Sequence, residues 1–448
     1  MKRQLPLLLI LVSMASYWSL AQTFDQKRDW LFSQPVPTSS ISGSGKYGMP
    51  YGVAKLWQTN GSDFATRQFC VWVAQQKYYL DQAQTQRDYG SEIIFETQGV
   101  VRSIYQWSGS FNSSQHNAIA AAYREKRDWA GGGTENHEFM RWCSGYLLAQ
   151  KYGGQWYATT SSSSLQSDTS FMSLLKSKIL IRAEQVYRQD ISEYNSPNYL
   201  IHHFIPLLNL YDFCQDSELA MVAEAIIARH LSSLSLCTHD GGIVEPFARW
   251  MGPEDLGSNS LSAKNESLLM AWIYWGQINP SLQRIQDRYS GGPLLYYLAA
   301  SNYRPPQRLV EIANGDIGVP GEIKMHSAQW HDSYYRATNR RYIWRQTNYA
   351  IGSGMRYFDP DEFYMQHSKF GVHWTSSDAR RSLLVGHPYW HADDNDWQDW
   401  LQSTDSPFMQ SVHYKDVAII LFNHPAADPW PNRGRPEWYA QRANHVNG

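Results

Sequence analysis

Asn136 and His137 are the first residues whose types and placement could do chemistry. They follow Gly131-Gly132-Gly133-Thr134-Glu135, where three glycines break regular structure and Thr134 offers a side-chain oxygen suited to a helix N-cap. Phe139, Met140, Cys143, Tyr146 and Leu147 then recur at helical spacing, so a helix over 134–151 is expected. Asn136 and His137 fall in its first turn. The unsatisfied N–H groups and positive dipole end there favour an anion and disfavour a proton on His137. A neutral imidazole beside a carboxamide, where a carboxylate is attracted, is half of a proton-abstraction site. The plainer reading is that the pair hydrogen-bonds loop backbone.

The second half is sought in Glu193-Tyr194-Asn195-Ser196-Pro197-Asn198-Tyr199. Ser196 reads as N-cap and Pro197 as the first helical residue of a helix over 196–213, which puts Tyr199 at N3. Tyr199, His202 and His203 project from its early turns. Packing is the plain alternative for Tyr199. Adjacent histidines point about 100° apart on a helix, which argues against His202 and His203 as a metal pair.

These residues need elements to position them. Helices are expected over 62–83, 91–107, 115–129, 134–151, 170–189, 196–213, 217–236 and 265–276, many opening on Ser, Thr or Asn. Eight successive helices without strands imply one all-α layer, a ring or array of hairpins, in which two helix starts can share a rim. Residues 22–60 read as an irregular lead-in, with Pro35, Pro37 and a Ser/Gly string over 39–45. After Tyr303-Arg304-Pro305-Pro306 the pattern switches to alternation rich in β-formers over 342–351, 370–375, 382–385 and 411–422. The expectation is a multidomain α-then-β chain: helices over 61–304, then an antiparallel β-sheet domain over 305–448. No closing strand is apparent before Gly448, so a truncated β part is also entertained.

Composition bounds the partners. Among 448 residues the formal net charge is −2, which argues against nucleic acid. Residues 1–21 read as a signal peptide, with Lys2 and Arg3 before the apolar run 5–12 and Ser19-Leu20-Ala21 as the cleavage site. A secreted or periplasmic chain is expected, with no later membrane span. Export permits disulfides, and one or two are expected among Cys70, Cys143, Cys214 and Cys237, against the alternative of buried thiols. Nineteen Trp and 29 Tyr against 16 Phe favour flat, polar-rimmed faces that grip sugar rings over plain core packing.

An Asn-His pair at a helix start, followed by a Tyr that leads into Pro206-Leu207-Leu208-Asn209-Leu210-Tyr211-Asp212-Phe213, resembles the polysaccharide lyases of the alginate lyase and heparinase II/III type. The resemblance implies an (α/α) toroid followed by an antiparallel β-sandwich. It implies an exported lyase that cleaves a uronate-containing glycan by β-elimination, with Asn136, His137, Tyr199 and the strand tyrosine Tyr349 as catalytic residues. His202, His239, Arg249, Trp250 and Glu135 are the substrate-binding candidates, and an anionic polysaccharide or oligosaccharide is the partner. One departure stands out: these alginate lyases carry an Arg just before the Tyr, whereas nothing between Glu193 and Tyr199 is basic. Arg188, Arg249 or a β-domain residue would have to substitute.

In β-elimination an enolate-like intermediate develops, and a preorganised donor such as Asn136 can stabilise it by about 3–4 kcal/mol. His137 or Tyr199 would take the proton, and a tyrosine can also protonate the leaving oxygen. Two other readings compete. A glycoside hydrolase on the same helices would use two of Glu135, Glu193 and Asp212, and a non-catalytic glycan-binding relative would lack essential groups. No cofactor or metal is expected. A calcium or zinc role is open to His387 with His391, or to Asp393-Asp394-Asn395-Asp396, although the latter tract reads as a solvated turn and lacks a full calcium-loop pattern.

Overall fold

The computed structural model describes residues 23–37, 41, 48–76, 93–197, 199–244, 246–248, 266–276, 292–328, 339–355, 369–375, 382–385 and 409–422. The proposed signal peptide, Arg249, Trp250 and the 387–396 candidates lie outside them.

Helices come first: α1 (Phe24–Ser33), α2 (Gly48–Gln58), α3 (Phe64–Gln75), α4 (Ile93–Gln106), α5 (Ser113–Glu125) and α6 (Glu135–Tyr152). A short antiparallel pair follows, β1 (Gln155–Tyr157) with β2 (Leu165–Ser167), and then α7 (Asp168–Gln189), α8 (Leu200–Phe213) and α9 (Ser217–Leu236). A second pair, β3 (Thr238–His239) with β4 (Gly242–Ile243), precedes α10 (Glu266–Trp275), α11 (Leu295–Ala299) and α12 (Gln307–Asn314).

The stretch expected to be irregular holds α1 and α2. Phe24, Leu31, Phe32 and most of α2 are buried, so tertiary packing overrides the Pro and Gly punctuation. α12 also falls beyond the expected boundary at residue 304.

Two kinds of helix alternate. α3, α5, α7 and α9 bury one stripe each, whereas α4, α6, α8 and α10 are buried nearly all round. The buried set contacts in succession: α2 with α4, α4 with α6, α6 with α8, α8 with α10, α10 with α11, and α11 with α2. Gly99 permits a close approach of α4 to α2 and α11, because a Cβ there would stand 2.5 Å from the Tyr297 hydroxyl and 2.7 Å from Met49 Cβ. By length and apolar composition alone α9 could cross a membrane, contrary to expectation, but half of that window is buried inside the fold.

Two expectations drawn from composition change here. Trp129, Trp156, Trp272, Tyr51, Tyr123, Tyr296 and Tyr297 are fully buried, so much of the aromatic excess fills the core. All four cysteines are free thiols. Burial pushes Cys70 up to about 12 and Cys214 up to about 11, which makes both weak nucleophiles.

The sheet region begins with β5 (Gly321–Ser327), which the alternation missed. β6 (Asn339–Arg345), β7 (Tyr349–Met355), β8 (Phe370–Trp374) and β9 (Ser382–Val385) follow in antiparallel order β5-β6-β7-β8-β9. The run 342–351, read as one strand, turns at Gln346–Asn348, where Gln346 N donates to Tyr349 O at 2.7 Å. The run 411–422 likewise splits into β10 (Met409–Tyr414) and β11 (Val417–Phe422).

One sheet face meets the helices. Arg341 Nη2 reaches Asp190 Oδ2 at 2.5 Å, its guanidinium lies 4.5 Å from the Tyr194 ring centroid, and Arg345 donates to Ile312 O at 2.9 Å. The other face carries Tyr349, Ile351 and Phe370 under the β10–β11 hairpin.

Candidate active site

The glycine loop is strapped down by the helix it precedes. Arg141 Nη1 donates to Gly132 O, and Trp142 Nε1 donates to Gly131 O at 3.2 Å. Gly133 has φ +147°, a conformation that side chains disfavour, and a Cβ there would stand 3.5 Å from His137 Cβ. Thr134 is the N-cap by backbone, yet its hydroxyl makes no bond to the helix. It donates instead to Asn136 Oδ1 at 2.6 Å, which turns the other end of the carboxamide elsewhere. Asn136 is 1% exposed, and among the described residues its Nδ2 has no hydrogen-bond partner. A buried amide donor left so is costly unless something binds it. His137 beside it is half-buried, with its ring edge-on to Phe95 at 5.3 Å between centroids.

The second half differs from expectation by one turn. Tyr199, not Ser196, occupies the N-cap position of α8. Ser196 Oγ accepts the Tyr199 N–H at 3.1 Å as a separate turn. The start of α10 holds that turn: Ser267 Oγ donates to Ser196 O at 2.5 Å, and Glu266 N donates to Pro197 O at 2.6 Å. Tyr199 is half-buried, and its side chain makes no cap to α8.

The helix starts gather at one place. Phe95, in the first turn of α4, packs edge-on against both His137 (5.3 Å) and His202 (4.7 Å). Glu135, the first residue of α6, accepts from Ser192 Oγ at 2.8 Å and from the backbone N–H groups of Ser192 (3.1 Å) and Glu193 (3.3 Å). Thus α4, α6, α8 and α10 all begin around the segment that carries Tyr199.

Capping separates these helices from their neighbours. α1, α3, α5, α7 and α9 each open on a side-chain cap, from Thr23, Asp63, Asn112, Ser167 and Asp216. α6 and α8 have none. A helix start favours negative charge through its dipole, and at these two no capping side chain stands in that place.

The remaining candidates divide. Glu135 is buried and ties the start of α6 to the Ser192–Glu193 backbone. His202 and His203 diverge as helical geometry requires: His202 Nε2 lies 3.7 Å from Glu266 Oε2, and His203 Nε2 lies 2.9 Å from Glu193 Oε2. His239 is buried at the seam with the sheet, 3.4 Å from Thr375 Oγ1. Tyr349 is not brought to the helix starts. It points to the hairpin face and donates to Asp416, whose bond and charge push its hydroxyl pKa up, opposite to what a base needs.

Sequence reading missed Phe95, Glu266 and the Glu193–His203 pair. A first-turn Glu at 266 is the only local signal among them. Comparison with family models, with curated proteins and with solved structures gave no match for this chain.

Proposed function

We propose that this chain is an exported polysaccharide lyase that cleaves a uronate-containing glycan by β-elimination, built as a helical toroid carrying a β-sandwich. The observation that carries the reading is the orphaned Asn136 amide in the first turn of α6, a helix whose start, like that of α8, has no side-chain cap. The succession of contacts from α2 round to α11 and back supports the toroid.

In this reading the substrate carboxylate sits over the starts of α6 and α8, with Asn136 Nδ2 donating to it. His137 or Tyr199 removes the proton on the carbon α to the carboxylate, and the new electron pair forms a double bond as the C4–O4 bond breaks. Tyr199 returns a proton to the leaving oxygen. Asn136 donates most strongly when the carboxylate carries enolate charge, which is where preorganised donors act.

The hydrolase reading has less support. Asp212 is fully buried against Arg102 at 2.6 Å, and Glu135 and Glu193 are buried in contacts of their own. The test is to incubate the purified chain with a panel of uronate polysaccharides and follow the absorbance of unsaturated uronate ends. New unsaturated ends are expected. Reducing ends without unsaturation would select hydrolysis, and binding with neither would select a non-catalytic role.

A further inference from the structure

We infer that Glu135, Glu193 and His203 form a binding site for a single transition-metal dication, zinc or manganese, beneath the starts of α6 and α8. Each offers one donor atom, and these atoms lie within 4.8 Å of one another. Glu193 and His203 are completely buried and Glu135 is 7% exposed, so two carboxylates surround one imidazole away from water.

The geometry fits an ion. Glu193 Oε2 and His203 Nε2 are hydrogen-bonded at 2.9 Å, so an ion would replace the shared proton. Two bonds of about 2.1 Å to a shared ion would span that distance at an angle of about 90°, that of neighbouring ligands in an octahedral shell and narrower than in a tetrahedral zinc site. Glu135 Oε2 accepts from Ser192 Oγ at 2.8 Å and Oε1 from Ser192 N at 3.2 Å. Ser192 thus orients the carboxylate as outer-shell donors orient metal ligands.

A second observation points the same way. His230 stands 5.9 Å from His203 between ring centroids, and it is 1% exposed. Among the described residues both its nitrogens, and Nδ1 of His203, have no hydrogen-bond partner. Buried imidazole nitrogens without partners, beside two carboxylates, make a donor set that a metal would satisfy. Imidazole with carboxylate suits zinc or manganese; calcium and magnesium prefer all-oxygen shells.

The inference goes beyond the lyase reading and does not need it. An ion here would add positive charge below the Asn136–His137 turn, where the sequence has no Arg before Tyr199.

The test uses the full chain, purified without chelator, with metal counted by mass spectrometry. A chelator-stripped sample is then titrated with Zn²⁺ and Mn²⁺ while thermal unfolding is followed. About one ion per chain and a rise in Tm on reloading are expected. Glu193→Gln and His203→Gln should each weaken binding by at least ~100-fold. Where either variant fails to fold, the visible spectrum of Co²⁺-loaded wild type should report a mixed nitrogen and oxygen ligand set.

Folded wild type that carries no ion and gains no Tm with either metal overturns the inference, and so does metal binding unchanged in both variants. A metal-free chain that still makes unsaturated ends would refute the metal site and leave the lyase reading standing.

Discussion

At Asp190 one buried carboxylate lies between two guanidiniums, whereas at the start of α6 two buried carboxylates crowd one imidazole. The first cluster is closed. Arg341 and Arg229 flank the carboxylate at 2.5 and 3.5 Å, Ser233 donates to it at 2.9 Å, and the group spans the seam between helices and sheet. The second lies against the Asn136–His137 turn and the segment that carries Tyr199. The first cluster ties two regions together, while the second lies beside a buried amide donor, Asn136 Nδ2, that has no partner among the described residues. Mutations at the seam should therefore cost stability, and those at the helix starts should cost rate.

The largest stability effect is expected at the seam. Arg341→Ala leaves Asp190 buried with one less guanidinium and should destabilise the fold by about 3–5 kcal/mol, read by urea unfolding at pH 7. A loss under about 1 kcal/mol would make the seam ordinary surface contact.

Glu135→Gln keeps the shape but replaces charge-assisted bonds to Ser192 and Glu193 with weaker ones. It should cost about 1.5–3 kcal/mol in the same experiment, with turnover falling because the Tyr199 segment loosens. Full turnover in this variant would show that Glu135 does not position Tyr199.

Acid separates the clusters by sign. Burial alone would raise the Asp190 carboxyl, but Arg341 and Arg229 outweigh it and hold the group below its ordinary value. Its contribution is present in full above the unfolded value, about 3.9, and is lost as pH falls from there through the folded value. Unfolding free energy measured against pH should drop in wild type below about pH 4, and this step should shrink in Arg341→Ala. Equal steps in both proteins would remove Asp190 as its source.

The smallest effect is expected at Tyr349→Phe, which loses one exposed-side bond to Asp416. Stability should change by about 1 kcal/mol or less, with turnover unchanged. A large loss of turnover would return Tyr349 to the reacting groups.

How much of this was legible in the residues follows from the range of the forces involved. The start of α6 was readable because Gly131–Gly133 and Thr134 act within a few residues. The lead-in was not, since α1 and α2 owe their helicity to packing against α10, α11 and α4. Gly52, a helix breaker in isolation, sits inside α2 at a tight packing point, where a Cβ would stand 3.3 Å from Thr66 Cγ2. Alternation around Tyr349 implied two faces but could not say which one meets the helices, and the hidden turn at 346–348 decides it. Phe95 was invisible for the same reason: its role comes from His137 and His202, distant in sequence.

The most direct test of the account is a paired measurement of turnover and equilibrium glycan binding in Tyr199→Phe, on whichever uronate polysaccharide the wild type degrades. The ring's packing is kept and one oxygen is removed. Turnover should fall by at least ~10²-fold, as for loss of a general acid–base group, while affinity barely moves. If rate and affinity fall together by the same factor, Tyr199 only binds the glycan, and its proposed part in the chemistry is wrong.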